Sequence, residues 1–200
     1  MRNLVIFLHT SLDGIVEGPN GAMDIGFVHY NEELEQFAQK VTANADTILW
    51  GRATYEMMYQ YWPNMLNNEE ASEHERAHAA WIDAVEKIVC SRTLQETTWN
   101  HTTLIHEQIT EKIHELKAEN ARDILVLGSP RLAKFLLKEN LVDILKLTVS
   151  PVIVGNGLRF FEGIEEHLEL VDTQIMESGV LGLTYRIRKD RELSNEADSR

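Results

Sequence analysis

Residues 124–161 read ILVLGSPRLAKFLLKENLVDILKLTVSPVIVGNGLRFF, and the fold is decided here. Ile124-Leu125-Val126-Leu127 is an apolar run of the length of one buried strand. Gly128-Ser129-Pro130 follows as a sharp turn. Ser129 is placed to cap a helix, and Pro130 suits the first helical position, where its missing N–H would go unpaired anyway. Leu132, Phe135, Leu136 and Leu137 recur at helical spacing, and Asn140 closes the helix. Leu145, Leu147 and Val149 then alternate, and Val152-Ile153-Val154 extends the strand reading up to Gly155-Asn156-Gly157. The order is strand, glycine turn, helix, strand. The turn aims backbone N–H groups and the positive end of a helix at whatever lies above Gly128, and the guest this favours is a phosphate.

Length and composition narrow the classes. The chain has 200 residues, 44% of them hydrophobic, which suits one globular domain with a substantial core. A formal net charge of −13 disfavours nucleic acid, anionic membrane and polyphosphate surfaces as partners. A small anionic ligand stays open if local positive groups collect it. No apolar run reaches the length of a membrane span, and Met1-Arg2-Asn3 leads straight into a strand instead of a signal peptide. Cys90 is the single cysteine, so no intrachain disulfide forms. These features predict a cytoplasmic protein with a small-molecule partner and no nucleic acid or membrane partner.

The rest of the chain repeats the pattern. Leu4-Val5-Ile6-Phe7-Leu8 reads as a central strand buried on both faces. His9 to Gly21 is a connection dense in turn residues. Asn31 caps a helix running to about Val41, with Leu34, Phe37, Ala38 and Val41 inside. Thr47–Trp50 is a strand, followed by a helix that Trp62-Pro63 ends. A charged, alanine-rich helix spans 70–86, Lys87–Cys90 is a strand, Thr103–Ile105 is another, and 107–119 is an amphipathic helix. Residues 169–173 and 181–187 read as two antiparallel edge strands. The single domain runs to residue 189, and 190–200 reads as a disordered tail.

Three junctions share one design: Gly51-Arg52-Ala53-Thr54, Ser91-Arg92-Thr93 and Gly128-Ser129-Pro130, each after a short apolar strand. In a parallel sheet they lie along one edge, where open α/β sheets bind ligands. Two helix N-termini then suit a pyrophosphate, and Ser91 with Arg92 suits a further phosphate such as the 2′-phosphate of NADP. Three ordinary strand–helix turns explain the same residues one at a time; jointly they favour a dinucleotide.

With Ser11-Leu12-Asp13-Gly14, Gly51-Arg52-Ala53-Thr54-Tyr55-Glu56, Ser91-Arg92-Thr93-Leu94, Gly128-Ser129, Leu141-Val142-Asp143 and Pro151–Gly157 in this order, the chain resembles the dihydrofolate reductase-like family. The branch it resembles contains the C-terminal reductase domain of the bifunctional riboflavin-biosynthesis deaminase-reductase. The likeness spans about residues 2–188. It implies a three-layer α/β fold, a mixed and mostly parallel sheet flanked by helices, with NADPH across the strand ends. It implies cofactor contacts from Gly51, Arg52, Thr54, Ser91, Arg92, Gly128, Ser129, Arg131 and Leu132, and it implies a homodimer, with the Val149–Val154 region as the expected contact. Gly128-Ser129 stands where dihydrofolate reductases proper have a double glycine, and Ile144 follows Asp143 where the riboflavin branch often has an acid. Both departures argue against a true dihydrofolate reductase.

Hydride transfer to a small heterocycle or carbonyl needs a proton source. Asp13 is the first candidate, on the loop after the first strand; as a turn former it has a structural reading too. Glu33 is the second, four residues before Phe37, the spacing at which dihydrofolate reductases carry their pterin-binding carboxylate; a first-turn acid favoured by the helix dipole is its plain alternative. Two further functions compete: dinucleotide binding without turnover, and a zinc hydrolase built on His74-Glu75-Arg76-Ala77-His78, which fits the H-E-x-x-H pattern. A solvated, charge-rich helix explains the last motif as well.

Overall fold

The computed structural model describes residues 1–21 and 24–188, so the expected tail at 190–200 lies outside the described residues. In chain order the elements are β1 (Leu4–Ser11), β2 (Ile15–Glu17), α1 (Glu32–Ala43), β3 (Ala45–Gly51), α2 (Arg52–Met65), α3 (Glu73–Ala84), β4 (Glu86–Cys90) and β5 (Thr102–Ile105). They continue with α4 (Ile109–Ala118), β6 (Asp123–Leu127), α5 (Pro130–Lys138), β7 (Ile144–Ser150), β8 (Leu158–Arg159), β9 (Leu168–Ile175) and β10 (Leu181–Ile187).

Eight strands form one sheet in the order β5-β4-β3-β6-β1-β7-β10-β9, and β2 pairs with β8 apart from it. The run from β5 to β7 is parallel throughout; β10 and β9 join antiparallel. The expected mixed, mostly parallel sheet flanked by helices is the fold observed. Alternate residues of each strand face opposite sides. Leu4, Ile6, Leu49, Ile88 and Val126 face α4 and α5, whose Ile113, Ala133, Leu136 and Leu137 complete that core. Val5, Phe7 and Leu125 face Leu34, Phe37, Ala38 and Val41 of α1. Ile48, Trp50 and Val89 face Tyr55 of α2 and Ile82 of α3. Gly182 lets α1 lie this close to β10, since a Cβ there would stand 2.7 Å from the Phe37 ring.

The N-terminal edge of the sheet is held by buried polar groups. The Arg2 guanidinium, buried against the sheet, donates to Asp46, Thr47, Glu119 and the Arg122 carbonyl. Asp143 of the Leu-Val-Asp motif accepts from Leu4 N–H at 2.8 Å and pairs with Lys117 Nζ at 2.5 Å. That motif therefore fastens β1 at the edge remote from the three junctions.

Four local expectations are corrected. The strand stops at Ser150, because Pro151 brings no N–H to a ladder; Val152–Val154 instead straps the loop after β1, with Leu12 N–H donating to the Val152 carbonyl at 2.8 Å. Pro63 lies inside α2 instead of ending it, and the helix runs on to Met65. Of the two strands read as edges, β10 is interior and β9 alone is the edge. Ser129 does not cap α5 with its side chain: its backbone is left-handed (φ 54°), and its hydroxyl accepts from Gly51 N–H at 3.0 Å.

Candidate active site at the strand ends

β3 leaves the sheet on the α1–α3 face and β6 leaves it on the α4–α5 face, although the two are neighbours. Their carboxyl ends thus part to form a crevice, the place where open α/β sheets take ligands. Gly51 and Gly128 stand on its two sides. The Ser129 hydroxyl bridges it through Gly51 N–H. A Cβ on Gly51 would touch Leu132, and one on Gly128 would touch Thr54, each at 3.7 Å. Gly51, Thr54, Gly128, Ser129 and Leu132 are therefore brought together from two segments about eighty residues apart in sequence.

The helix ends at the crevice are uncapped, as is that of α4. Asn31 caps α1 and Ser72 caps α3 with side-chain oxygens, whereas neither α2 nor α5 has a side-chain cap. Their first-turn N–H groups are left to bind a ligand or water. Arg52 and Arg131 flank the crevice with exposed guanidiniums, Arg52 lying 4.0 Å from Glu56 and Arg131 3.4 Å from Glu17. One strand further out, after β4, the buried Ser91 hydroxyl accepts from Thr93 and Leu94 N–H at 3.2 and 3.0 Å, shaping a tight loop that presents the exposed Arg92. Three cations at one edge of a chain of net charge −13 form a local anion-attracting field.

The two acids are placed otherwise. Asp13 accepts from the Ser11 hydroxyl at 2.7 Å, from Val154 N–H at 3.1 Å and from Gly155 N–H at 2.9 Å, and Arg159 lies 3.9 Å away. The Ser11 hydrogen bond first, then the two backbone N–H groups, hold its carboxyl down to about 2. At neutral pH it is a carboxylate that ties the β1–β2 loop to the segment after β7. Glu33 accepts from Glu177 N–H at 2.9 Å and so ties α1 to the β9–β10 turn. Neither acid is hydrogen-bonded to the crevice residues.

Residues that the motif reading passes over stand nearby. His9 continues the Val5–Phe7 alternation, its Nδ1 lies 2.6 Å from Thr148 Oγ1, and its ring meets Phe7 and Tyr30 edge-on. Burial pushes its imidazole down to about 4. Trp50 Nε1 donates to the Leu127 carbonyl at 2.9 Å, locking β3 to β6 below the crevice. The alternation was the sequence signal for His9; nothing local marks the Trp50 bond.

The zinc reading of α3 is overturned. His74 and His78 do share a helix face, with ring centroids 6.1 Å apart. The Glu75 carboxylate, however, closes a capping box with Ser72 and accepts from Tyr61 at 3.1 Å. His74 Nδ1 lies 2.9 Å from Gln39 Nε2, and His78 packs between Trp62 and Trp81, where burial holds its imidazole down at about 4. Among the described residues no three His, Cys, Asp or Glu side chains converge to hold a metal ion.

Comparison with known proteins bears on the family and the fold. The chain is 30% identical over 188 residues to the uncharacterized protein YyaP of Bacillus subtilis, covering 92% of this chain and 94% of that one. It is 23% identical over 169 residues to YwjB of the same organism, covering 84% and 88%. A putative riboflavin biosynthesis protein of Shewanella superposes with a TM-score of 0.71 at 19% identity, covering 94% of this chain and all (100%) of that one. A Thermotoga maritima diaminohydroxyphosphoribosylaminopyrimidine deaminase/5-amino-6-(5-phosphoribosylamino)uracil reductase gives 0.64 at 15% identity, covering 94% of this chain and 57% of that longer one. An Enterococcus faecalis dihydrofolate reductase, solved with NADP(H), gives 0.59 at 17% identity, covering 94% and 97%. These three likenesses carry the fold, and no helix among the described residues is long and apolar enough to cross a membrane. The model of the RibD C-terminal domain matches residues 2–181, nearly the whole chain: the chain belongs to the RibD C-terminal domain family, and its fold is of the reductase type.

Proposed function

We propose that this chain is an NADPH-dependent reductase that transfers a hydride to a small heterocyclic or carbonyl substrate. One observation carries the reading: two helix N-termini without side-chain caps, α2 and α5, face a crevice joined by the Gly51–Ser129 hydrogen bond, with Arg52, Arg92 and Arg131 around it. That donor set fits a dinucleotide. Gly51, Thr54, Gly128 and Ser129 would hold the pyrophosphate, Arg131 and Leu132 would border it, and Arg92 on the Ser91 loop would meet the 2′-phosphate. The dinucleotide supplies the hydride when bound; the chain binds it, orients it and shelters the reacting centre. The named neighbours support the substrate class, since one is an aminouracil reductase and another a dihydrofolate reductase, both acting on heterocycles.

Quenching of tryptophan fluorescence during titration with NADPH and, separately, NADH tests the reading. Tight NADPH binding with much weaker NADH binding supports it, and binding of neither overturns it. Dinucleotide binding without turnover is the second reading, favoured by one observation: Asp13 and Glu33 are both engaged by backbone N–H groups. A steady-state scan with dihydrofolate, pterins and simple carbonyls separates the two.

A homodimer belongs to the same proposal. Ile153 after β7, and Leu170, Val171 and Ile175 on the edge strand β9, expose 72, 55, 51 and 76% of their surface. Apolar exposure of this kind on one side of a sheet suits a second copy. Sedimentation of the full chain reports whether it forms.

A further inference from the structure

We propose that His9 is the residue that meets the substrate: its Nε2–H donates to the polar atom, a C=O or ring nitrogen, bonded to the carbon that accepts the hydride. The inference rests on the dinucleotide reading above.

Strand register places the ring. β6 pairs with β1 as far as Leu127 opposite Phe7, and Gly128 N–H still donates to the Phe7 carbonyl at 3.1 Å. Beyond that point β6 turns away into α5. β7 continues on the other side, with Thr148 opposite His9. His9 thus has a strand neighbour on one flank, while the other opens as a notch beside the Gly128–Ser129 turn. Two features meet there: the crevice that suits a dinucleotide, and the first side chain on the α1 face of β1 that lies beyond its pairing with β6.

The contact with Thr148 favours one tautomer of the ring. Thr148 is fully buried, and His9 Nδ1 at 2.6 Å is the partner of its hydroxyl among the described residues. A hydroxyl so placed is satisfied when it donates to Nδ1, which assigns the ring proton to Nε2 in this proposal. Nε2 itself has no hydrogen-bond partner among the described residues, and the ring keeps part of its surface accessible. Tyr30, more than half exposed, meets the His9 ring edge-on with centroids 5.8 Å apart and offers a face on which a flat ring can stack. Ser150, two residues beyond Thr148 on the same sheet face, is fully buried with a hydroxyl that has no partner among the described residues, a second polar group on that face.

The chemistry asks for a neutral donor. In the reduction of a carbonyl, a C–H bond forms at carbon from the hydride of the reduced dinucleotide. The π pair moves to oxygen, and the oxygen takes a proton from solvent; the dinucleotide loses two electrons and the substrate gains them. His9 Nε2–H stabilises the charge growing on oxygen, which an ionised carboxylate such as Asp13 opposes. Thr148 acts as a positioning residue, holding the tautomer.

Long-range proton–nitrogen NMR spectra of the imidazoles, recorded on the full chain near neutral pH with and without NADPH, test the proposal. Free His9 is expected to show a protonated Nε2 and an unprotonated Nδ1, and its ring signals are expected to shift with saturating NADPH, while those of exposed His101 and His114 stay in place. The opposite tautomer at His9, or His9 signals that NADPH leaves unmoved, overturns the inference. If fluorescence shows no dinucleotide binding, the reductase reading falls first and takes the inference with it; if it shows binding and the His9 signals stay in place, only the inference falls. With whichever compound of the scan is turned over, His9→Gln lowers kcat roughly 10²-fold and leaves NADPH affinity within about twofold. Unchanged kcat refutes the role. In Thr148→Val the loss falls on kcat with KM nearly constant, and a restored wild-type kcat in Thr148→Ser is the expected rescue; a Thr148→Ser that stays as slow as valine refutes the positioning role.

Discussion

Gly128→Ala separates a backbone requirement from a binding requirement. Gly128 has φ +69°, a left-handed conformation that costs an L-residue about 1–2 kcal/mol. The added methyl meets Thr54 Cγ2 at 3.7 Å, an ordinary contact, so no clash adds to the strain. For a chain of this size each kcal/mol lowers Tm by about 2–4 °C, so a fall of about 2–8 °C is expected. The methyl also stands in the crevice between Thr54 and the uncapped end of α5, where a phosphate would approach. Losing one charge-assisted hydrogen bond there is worth about 1.5–3 kcal/mol, roughly 10- to 100-fold in Kd for NADPH. Gly163→Ala is the matched control, since Gly163 has φ +68° and nothing within 4 Å of an added Cβ. It is expected to show the same fall in Tm with NADPH affinity unchanged. Thermal melts and fluorescence titrations of the two variants decide the matter. If Gly128→Ala loses stability like Gly163→Ala yet binds NADPH within about twofold of wild type, Gly128 shapes only a turn and the crevice reading is wrong.

Arg92→Gln is expected to weaken NADPH roughly 10- to 100-fold and to leave NADH unchanged, measured by parallel titrations; equal losses for both would place Arg92 away from the 2′-phosphate. Asp13 has its carboxyl held at about 2 in the native state, below its unfolded value, so its stabilising effect is present above the unfolded value near 3.8 and is lost as pH falls toward 2. Denaturant midpoints against pH should therefore fall less steeply over that window in Asp13→Asn than in wild type. His78 is depressed to about 4, so the unfolded chain binds its proton first and stability declines as pH drops from about 6.5 toward 4. His78→Leu is expected to flatten this decline by at most about 1.4 kcal/mol per pH unit, read from the same midpoints.

Much of this was legible because local and global signals agree. The runs at 4–8, 47–50, 87–90 and 124–127 are strands because each is apolar on both sides, and they are buried on both sides because helices cover both faces of a parallel sheet. The three glycine and serine junctions meet because β4, β3 and β6 are neighbours, an adjacency no residue spells out. Where a distant partner claims a group, the local rule fails. Ser129 has the chemistry of a cap, yet its hydroxyl goes to Gly51, seventy-eight positions away. Asp13 reads equally as acid or turn former, and only the approach of Val154 and Gly155 shows what it holds. In α3, Ser72 and Glu75 carry the S-x-x-E spacing of a capping box, and a glutamate so engaged is not free to serve as the base of a zinc site. His9 is hidden by its place at the end of an apolar run, where only the period of two marks it.

The place of β1 has a consequence for biosynthesis. It leaves the ribosome well before either of its neighbours: Leu4 pairs with Ile124 and Val5 with Ile144. A parallel strand cannot be satisfied by a hairpin made on the spot, and closing so long a loop is slow. This apolar segment therefore stays unpaired until β6 and β7 have been made, and the crevice at its carboxyl end cannot form earlier. Until then the nascent chain exposes a sticky strand, the kind of segment on which chaperones act, and its slowest step in folding should be the insertion of its own first strand between the last two that shape the site.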